Sequence, residues 1–211
     1  MFTKPGLEIN VTTPPFTSSD CQLRVLAIGG GGERGLGGGG SGYIQFHSEM
    51  LNPETLISLT VGDKSQSSNV TVNGQTVMAA PGNDVNYYGG GDGYSGGGGH
   101  GTEGNCDGGT DGSDGEDCYY GDGGHGTGED VTAYKMDNFV LTPGAGGKSV
   151  SDGVIGYYGG GGGGVLVNGQ GPQRDNETQG EGYGGGGGYH DDSVVHHYGL
   201  PGVILIEVEE H

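Results

Sequence analysis

Positive charge, tryptophan and long hydrophobic runs are scarce or absent in this sequence. Of its 211 residues, seven are Lys or Arg and 27 are Asp or Glu, so the formal net charge is -20. This balance argues against nucleic acids and anionic membranes as partners, because both repel an acidic surface, and it favours cations. No run approaches the roughly 20 apolar residues that span a bilayer. We therefore expect no nucleic-acid partner and no membrane insertion.

Helical periodicity of useful length is also absent, whereas several short segments alternate in hydrophobicity as strands do. In the final one, Ile204, Ile206 and Val208 are expected to share one face. We predict an all-β fold of short antiparallel strands with little or no α-helix. The predicted strands are CQLRVLAI (21–28), ISLTVG (57–62), VTAYKM (131–136), FVLTPG (139–144), VLV (165–167) and VILIEV (203–208).

One hairpin is predicted with its register. Asn73-Gly74 lies between two short β-prone segments, and Asn-Gly is the strongest short signal for a two-residue hairpin turn. Val70 should therefore face Val77 across the strand pair.

Glycine dominates the composition, with 55 residues. No Gly-X-Y period is present, which excludes a collagen helix, and bulk composition of this kind leans towards disorder. Against disorder, the apolar residues are gathered into strand-like segments. Runs of four or more glycines begin at five places, namely Gly29, Gly37, Gly96, Gly159 and Gly184.

The cysteines and sequons favour an oxidising, extracellular setting. Cys106 and Cys118 flank a short acidic loop and are predicted to form a disulfide, which leaves Cys21 over. Three Asn-X-Thr sequons are candidate glycosylation sites. The segment MFTKPGLEI has no hydrophobic core of a signal peptide, so an exported protein would be a mature or trimmed form. The sequon asparagines are Asn10, Asn69 and Asn176.

Two regions are predicted along the chain. Residues 1–20, with Pro14-Pro15 and a Thr/Ser cluster, are expected to form an arm before the first strand. Residues 21–211 are expected to form one glycine-rich domain that carries an acidic loop at about 103–130.

The acidic loop is the sharpest chemical feature. Its carboxylates lie on a flexible Asp-Gly backbone, and Ca²⁺ accepts six to eight oxygens in tolerant geometry. Their spacing matches neither the EF-hand nor the calcium-binding nonapeptide. Calcium binding and a solvated loop that maintains solubility are the two alternatives. The candidate ligands are Asp107, Asp111, Asp114, Glu116, Asp117 and Asp122.

Catalytic constellations do not stand out, and we predict a protein that is not an enzyme. The segment TPGAGGKSV resembles a phosphate loop, but Thr142 replaces its first glycine and no helix pattern follows. The segment HDDSVVHH at 190–197 is interpreted as surface histidines, because adjacent histidines on a strand point to opposite faces.

Tyrosines flank the glycine tracts. Amphipathic rings beside a flat glycine surface would contact another chain or a sugar; alternatively they only cap the glycines and pack. The candidate interaction residues are Tyr87, Tyr88, Tyr119, Tyr120, Tyr157, Tyr158, Tyr183 and Tyr189.

The order of motifs resembles a known family. An opening strand runs into glycines in CQLRVLAIGGGG, a Thr-Val-Gly strand follows in LISLTVG, and GLPGVILIEV closes the chain. This order, over roughly residues 21–208, resembles the glycine-rich domain of bacteriophage tail and adhesin proteins. It is more loosely similar to the extracellular glycine-rich region of anaplastic lymphoma kinase-type receptors. The acidic block at 105–130 departs from the pattern.

The resemblance implies a β-framework that carries bundled polyglycine II helices. Such a helix has three residues per turn and no internal hydrogen bonds, so each amide needs a partner on a neighbouring helix. Ordering six glycines costs about 6 to 12 kcal/mol, and a lone run would therefore stay disordered.

These observations favour a non-enzymatic, extracellular structural protein that associates with copies of itself, aided by Ca²⁺ or another divalent cation. One alternative is a receptor- or adhesin-type module that recognises a protein or glycan. A second is an acidic matrix protein that templates mineral.

Overall fold

A computed structural model gives the architecture of the chain. It describes residues 1–13, 21–84, 88–99, 101–102, 105–151, 156–188 and 198–210. Within these ranges the regular structure consists of strands and one three-residue 3-10 turn, as expected for an all-β fold. The described residues include no helix with the length and hydrophobicity of a membrane span.

The central sheet has three antiparallel strands, in which Cys21–Ile28 lies between Val203–Glu210 and Ile44–Leu51. The strand Cys21–Ile28 and the last strand of the chain pair along their whole length, from Val203 with Ile28 to Glu210 with Cys21. The predicted strands at 21–28 and 203–208 are thereby confirmed as neighbours. The three strands are β2 (Cys21–Ile28), β3 (Ile44–Leu51) and β11 (Val203–Glu210).

A second antiparallel sheet packs on the central one, and its four strands lie side by side in the order in which they occur along the chain. Its hairpin turns at Asn73-Gly74, which both have positive φ, and Val70 pairs with Val77 as predicted. The four strands are β1 (Glu8–Thr12), β4 (Leu56–Thr60), β5 (Ser68–Val72) and β6 (Gln75–Ala79).

The predicted N-terminal arm is wrong for residues 8–12. These residues form β1, which pairs with β4 so that Ile9 faces Leu59, and Ile9 packs against the core between the sheets. Phe2 also pairs with Ile204 of the central sheet. The alternation of apolar and polar residues in β1 spans only five residues, most of them exposed, so the sequence pattern did not indicate an edge strand. The Pro14-Pro15 segment lies outside the described residues.

Both faces of the central sheet are buried. Leu23, Val25 and Ala27 pack against the second sheet, whereas Leu26 and Ile28 pack on the opposite side. A sheet buried on both faces explains the continuous apolar runs in β2 and β11. On β11, Ile204 packs in the first core, but Val208 is exposed.

The second core joins the central sheet to the glycine-rich region. It holds Tyr94, Val131, Val165 and Tyr183 beside Leu205. The predicted strand at 131–136 is wrong: Val131–Ala133 form a 3-10 turn, because the Asp130 side chain accepts the amide of Thr132 and caps it. Four short strands complete the region: β7 (Leu141–Pro143) with β10 (Val165–Val167), and β8 (Val150–Ser151) with β9 (Tyr157–Tyr158).

Gly159–Gly164, here called the central run, has every amide bonded to another segment. Gly159 and Gly162 donate to Leu36 and Gly39, at 3.0 Å each. The amides of the other four glycines follow the same rule: two glycines three residues apart donate to carbonyls of the same neighbouring segment. These bonds are Gly160 to Cys106, Gly163 to Gly109, Gly161 to Thr178 and Gly164 to Glu181, at 2.8 to 2.9 Å.

This three-residue repeat is that of a polyglycine II helix. Carbonyls of the central run also accept amides from three other segments, which gives the central run six neighbours. The accepting pairs are Gly160 from Gly98, Gly161 from Gly147, Gly162 from Gly186 and Gly164 from Gly144. The predicted bundle of polyglycine II helices is confirmed, with the central run inside it.

Close packing excludes side chains from the central run. A Cβ placed on any of its six glycines would come within 3.0 Å of a backbone atom of a neighbouring segment. Contacts that short do not occur, so the spacing of the bundle requires glycine at each position.

Candidate functional site

The glycine bundle has two unlike ends. Its second run, Gly37–Gly40, continues into β3, and the central run continues into β10, so these C-terminal ends lie against the sheets. The two runs are parallel, because Gly159 bonds Leu36 and Gly162 bonds Gly39. Their N-terminal ends therefore lie together at the opposite end, here called the far end.

The far end also collects residues from the disulfide loop. The run at 95–98 is antiparallel to the second run, since Gly38 donates to Gly98 and Ser41 donates to Ser95. Its continuation at Gly101 pairs with Tyr157 and packs against the backbone of Cys118 and Tyr119.

Three exposed tyrosines, here called the tyrosine cluster, lie at this far end: Tyr88, Tyr119 and Tyr120. Their exposed fractions are 45%, 73% and 52%. The ring centroids of Tyr119 and Tyr120 are 5.0 Å apart at 84°, and those of Tyr88 and Tyr120 are 6.1 Å apart. Edge-to-face rings at such distances stabilise one another. The cluster is thus a defined aromatic surface.

Its backbone is fixed on both sides. The amides and carbonyls of Cys118 and Gly121 bond each other at 3.0 and 3.2 Å, which closes the turn that carries Tyr119 and Tyr120. The predicted disulfide joins Cys118 to Cys106, with Cα atoms 5.7 Å apart, and the Cys106 carbonyl accepts the Gly160 amide. The turn is therefore anchored to the central run. Cys21 is a buried free cysteine in β2.

Other predicted interaction tyrosines do not form part of this surface. Tyr158 and Tyr183 are 5% and 8% exposed, so their prediction as surface residues is corrected. Tyr183 packs in the second core, and Tyr158 is buried in β9 with Arg34 over its ring. Tyr157 is half-buried. Tyr87 and Tyr189 lie outside the described residues.

Five of the six predicted metal ligands form side-chain hydrogen bonds to protein groups, whereas Asp122 accepts the Gly90 amide through its backbone carbonyl. Asp107 binds Lys148 Nζ at 2.7 Å and accepts the Ser149 amide, and Glu116 lies 3.4 Å from the Asp107 amide. Asp111 accepts the phenol of Tyr94 at 2.6 Å and the amide of Val131.

Asp114 and Asp117 extend the hydrogen-bond lattice of the bundle. They accept the amides of Gly126 and Gly123, at 2.7 and 2.8 Å, and the three-residue spacing of both pairs repeats the helix period. Their side-chain oxygens thus take the place of backbone carbonyls on an outer helix. The spacing of three residues between Asp114 and Asp117 is the sequence signal for their role as acceptors of glycine amides. The prediction of a metal site did not use this spacing.

No metal cage forms among the described residues: no three His, Cys, Asp or Glu side chains lie together so that they could hold an ion. A shallow cavity of about 310 Å³ is lined by Asp114, Asp117, Asp122 and His125. His125 Nδ1 lies 3.7 Å from Asp114. Calcium binding stays a prediction.

Two ionisable groups that link the acidic loop to other segments have shifted pKa values. Burial, and next the hydrogen bond to Asp111, raise the pKa of Tyr94, which is fully buried and stays protonated. Partial burial opposes ionisation of Asp107, but bonds from Lys148 and Ser149 together lower its pKa. Both groups act as structural links between the loop and the rest of the chain.

The sequon asparagines differ in surroundings. Asn10 is exposed on β1 and accepts the Ser58 hydroxyl at 2.5 Å. Asn69 is half-buried in β5, and Asn176 accepts the amide and hydroxyl of Thr178. The histidines at 190–197 lie outside the described residues.

Two lysine or arginine contacts with tyrosine rings were missed by sequence reasoning. Lys64 Nζ lies 4.4 Å from the ring centroid of Tyr198, and the Arg34 guanidinium carbon lies 6.0 Å from that of Tyr158. No sequence pattern signals them, because each pair is far apart along the chain.

Comparison with known proteins gives one family. The family model described as a glycine-rich domain matches residues 8–209. No curated protein and no solved structure matches the chain.

Proposed function

Since the chain belongs to the glycine-rich domain family, we propose that it is a non-enzymatic, extracellular structural protein that associates with copies of itself. The observation that carries this proposal is the tyrosine cluster, three exposed rings in mutual contact at one end of a hydrogen-bonded bundle. Aromatic residues are enriched in the centres of protein interfaces, and rings already packed on one another have less freedom to lose on binding.

An extracellular location is supported by the disulfide between Cys106 and Cys118, since disulfides persist in oxidising compartments. The charge of -20 opposes association of like chains. Divalent cations such as Ca²⁺ would offset this repulsion, and this is how we propose that they assist assembly.

The proposal is tested by sedimentation of the pure protein over a range of concentrations, in Na⁺ and in Ca²⁺ at equal ionic strength. Larger species are expected at high concentration and in Ca²⁺. The triple variant Y88A/Y119A/Y120A should stay monomeric. The matched control M50A/L56A/M78A removes three apolar side chains that are also about half exposed, from the sheets, and should assemble normally. A monomer under all conditions would contradict the proposal.

A second candidate function is recognition, as in the phage tail and adhesin proteins that the motif order resembles. It is favoured by the confinement of the tyrosine cluster to one end, away from the sheets. A protein or glycan would then bind at the far end. Saturable binding to one member of a glycan or cell-surface array, lost in the same triple variant, is the expected result. A monomeric protein that binds nothing in the array would count against both functions.

A further inference from the structure

The segment of sequence that contains the tyrosine cluster has no positively charged residue. From residue 65 to residue 134 the sequence has no Lys or Arg, whereas it has eleven Asp and Glu. Two exposed carboxylates, Asp117 and Asp122, flank the turn that carries Tyr119 and Tyr120, and the Asp122 carbonyl accepts the amide of Gly90, two residues after Tyr88. Exposed ring faces and carboxylates thus occur together at the far end.

This combination favours a cation as the ligand. The face of an aromatic ring carries negative potential and attracts ammonium and guanidinium groups, and nearby carboxylates add to that attraction. The molecule already uses such pairs internally. At the far end, Arg34 lies over Tyr158, and beside the sheets Lys64 lies over Tyr198.

We infer that the tyrosine cluster, with Asp117 and Asp122, is a docking surface for an arginine-containing segment of another protein. Arginine fits better than lysine because its planar, weakly hydrated guanidinium stacks on aromatic rings and also forms paired bonds to carboxylates. Without divalent cations, charge complementarity favours this partner over a second copy of the chain, whose far end carries the same negative charge. The inference therefore goes beyond the proposed self-association.

The probe is a fluorescent peptide in which arginine alternates with serine, and its counterpart in which citrulline replaces arginine. Citrulline retains the size and planar shape of arginine but is uncharged, and a urea oxygen replaces one of the guanidinium NH₂ donors. We expect saturable binding of the arginine peptide by fluorescence anisotropy, weakening with added salt, and no binding of the citrulline peptide. Equal binding of both peptides, or of neither, would overturn the inference.

Variants distinguish a built surface from general attraction of a cation to an acidic protein. Y119A/Y120A should weaken binding about tenfold, whereas Y119F/Y120F, which retains the ring faces, should bind as the original chain does. Both side chains are exposed, and a thermal melt verifies that each variant is folded. Unchanged binding by Y119A/Y120A would show non-specific attraction and refute the inference.

A second pair of variants tests the carboxylates. D117N/D122N retains the oxygen that Asp117 offers to Gly123 but removes two charges from the far end. The matched control E8Q/E54Q removes two exposed charges from the sheet region. The first is expected to weaken binding several-fold more than the second. Equal losses in the two variants would contradict a localised surface. Sedimentation of the pure chain tests self-association separately.

Discussion

At the scale of single residues, the glycines of this chain fall into different physical classes. Gly161 has no room for a side chain, because a Cβ would meet the backbone of Gly186 within 3.0 Å. Gly89 has room, since the nearest atom to its Cβ would be the Asp122 carbonyl at 3.6 Å, an ordinary contact. Gly74 also has open space, but its φ of 81° strains any other residue. The amino-acid composition does not distinguish these three kinds of glycine.

We therefore predict that Gly161→Ala destabilises the protein by about 3 kcal/mol or more, since the neighbouring helix must move. In a chain of this size the midpoint of thermal unfolding should fall by roughly 6 to 12 °C. Gly74→Ala should cost about 1 kcal/mol through backbone strain. These values are measured by denaturant unfolding and calorimetry.

Gly89→Ala is the matched control for Gly161→Ala. It adds the same methyl group at a position with space and without positive φ, so the free energy of unfolding should change by less than about 0.5 kcal/mol. Similar losses in both variants would show that helix spacing does not select glycine inside the bundle.

At the scale of the element, the central run depends on its neighbours. Its six amides donate to three parallel segments, one of which begins at Cys106. The disulfide holds that segment against Cys118. A structural cross-link and a hydrogen-bonded lattice thus act on the same residues.

Replacing both cysteines, in Cys106→Ala/Cys118→Ala, is predicted to lower the free energy of unfolding by about 3 kcal/mol, because the unfolded chain gains conformational freedom. Hydrogen exchange should show faster exchange at the amides of Gly160 and Gly163, which bond the Cys106–Gly109 segment. The β2 and β11 amides serve as the internal control and should exchange slowly. Loss of protection throughout the chain would instead indicate global unfolding.

The sequence predicted the elements whose signals are local. The strands at 21–28 and 203–208 and the Asn73-Gly74 hairpin needed only periodicity and turn chemistry. The polyglycine bundle was predicted from the resemblance to a family and not from periodicity. The structure contains the hydrogen bonds between segments that such a bundle requires. The second core was missed, because alternation in β2 suggested one buried face, yet Leu26 and Ile28 meet Tyr94 from a distant glycine-rich segment.

The candidate site was predictable only in part. The cysteine spacing gave the disulfide correctly. Exposure of the tyrosines was not predictable, because Tyr120 and Tyr158 have similar Tyr-Gly contexts and differ only in where the bundle places them. The carboxylates were interpreted through charge alone, whereas Asp114 and Asp117 serve as hydrogen-bond acceptors for glycine amides.

At the scale of the whole molecule, two opposing effects of pH act on stability. A net charge of -20 at neutral pH destabilises the compact state by repulsion, so mild acidification or added salt should stabilise it. Against this, Asp107 has a pKa lowered in the folded state by Lys148 and Ser149. A lowered pKa contributes stability above the unfolded value of about 3.9 and loses it as pH falls through the folded value.

We therefore predict that stability rises from neutral pH to about pH 5 and then falls below about pH 4. Urea unfolding across this pH range, at low and high salt, measures both changes in stability. High salt should reduce the rise between neutral pH and about pH 5 and should leave the fall below about pH 4, here called the acid limb. Asp107→Asn should be less stable at neutral pH and should show a shallower acid limb, because the titrating partner of Lys148 is gone. The matched control Glu8→Gln removes an exposed charge and should leave the acid limb unchanged. An identical acid limb in Asp107→Asn would mean that other carboxylates carry the whole effect.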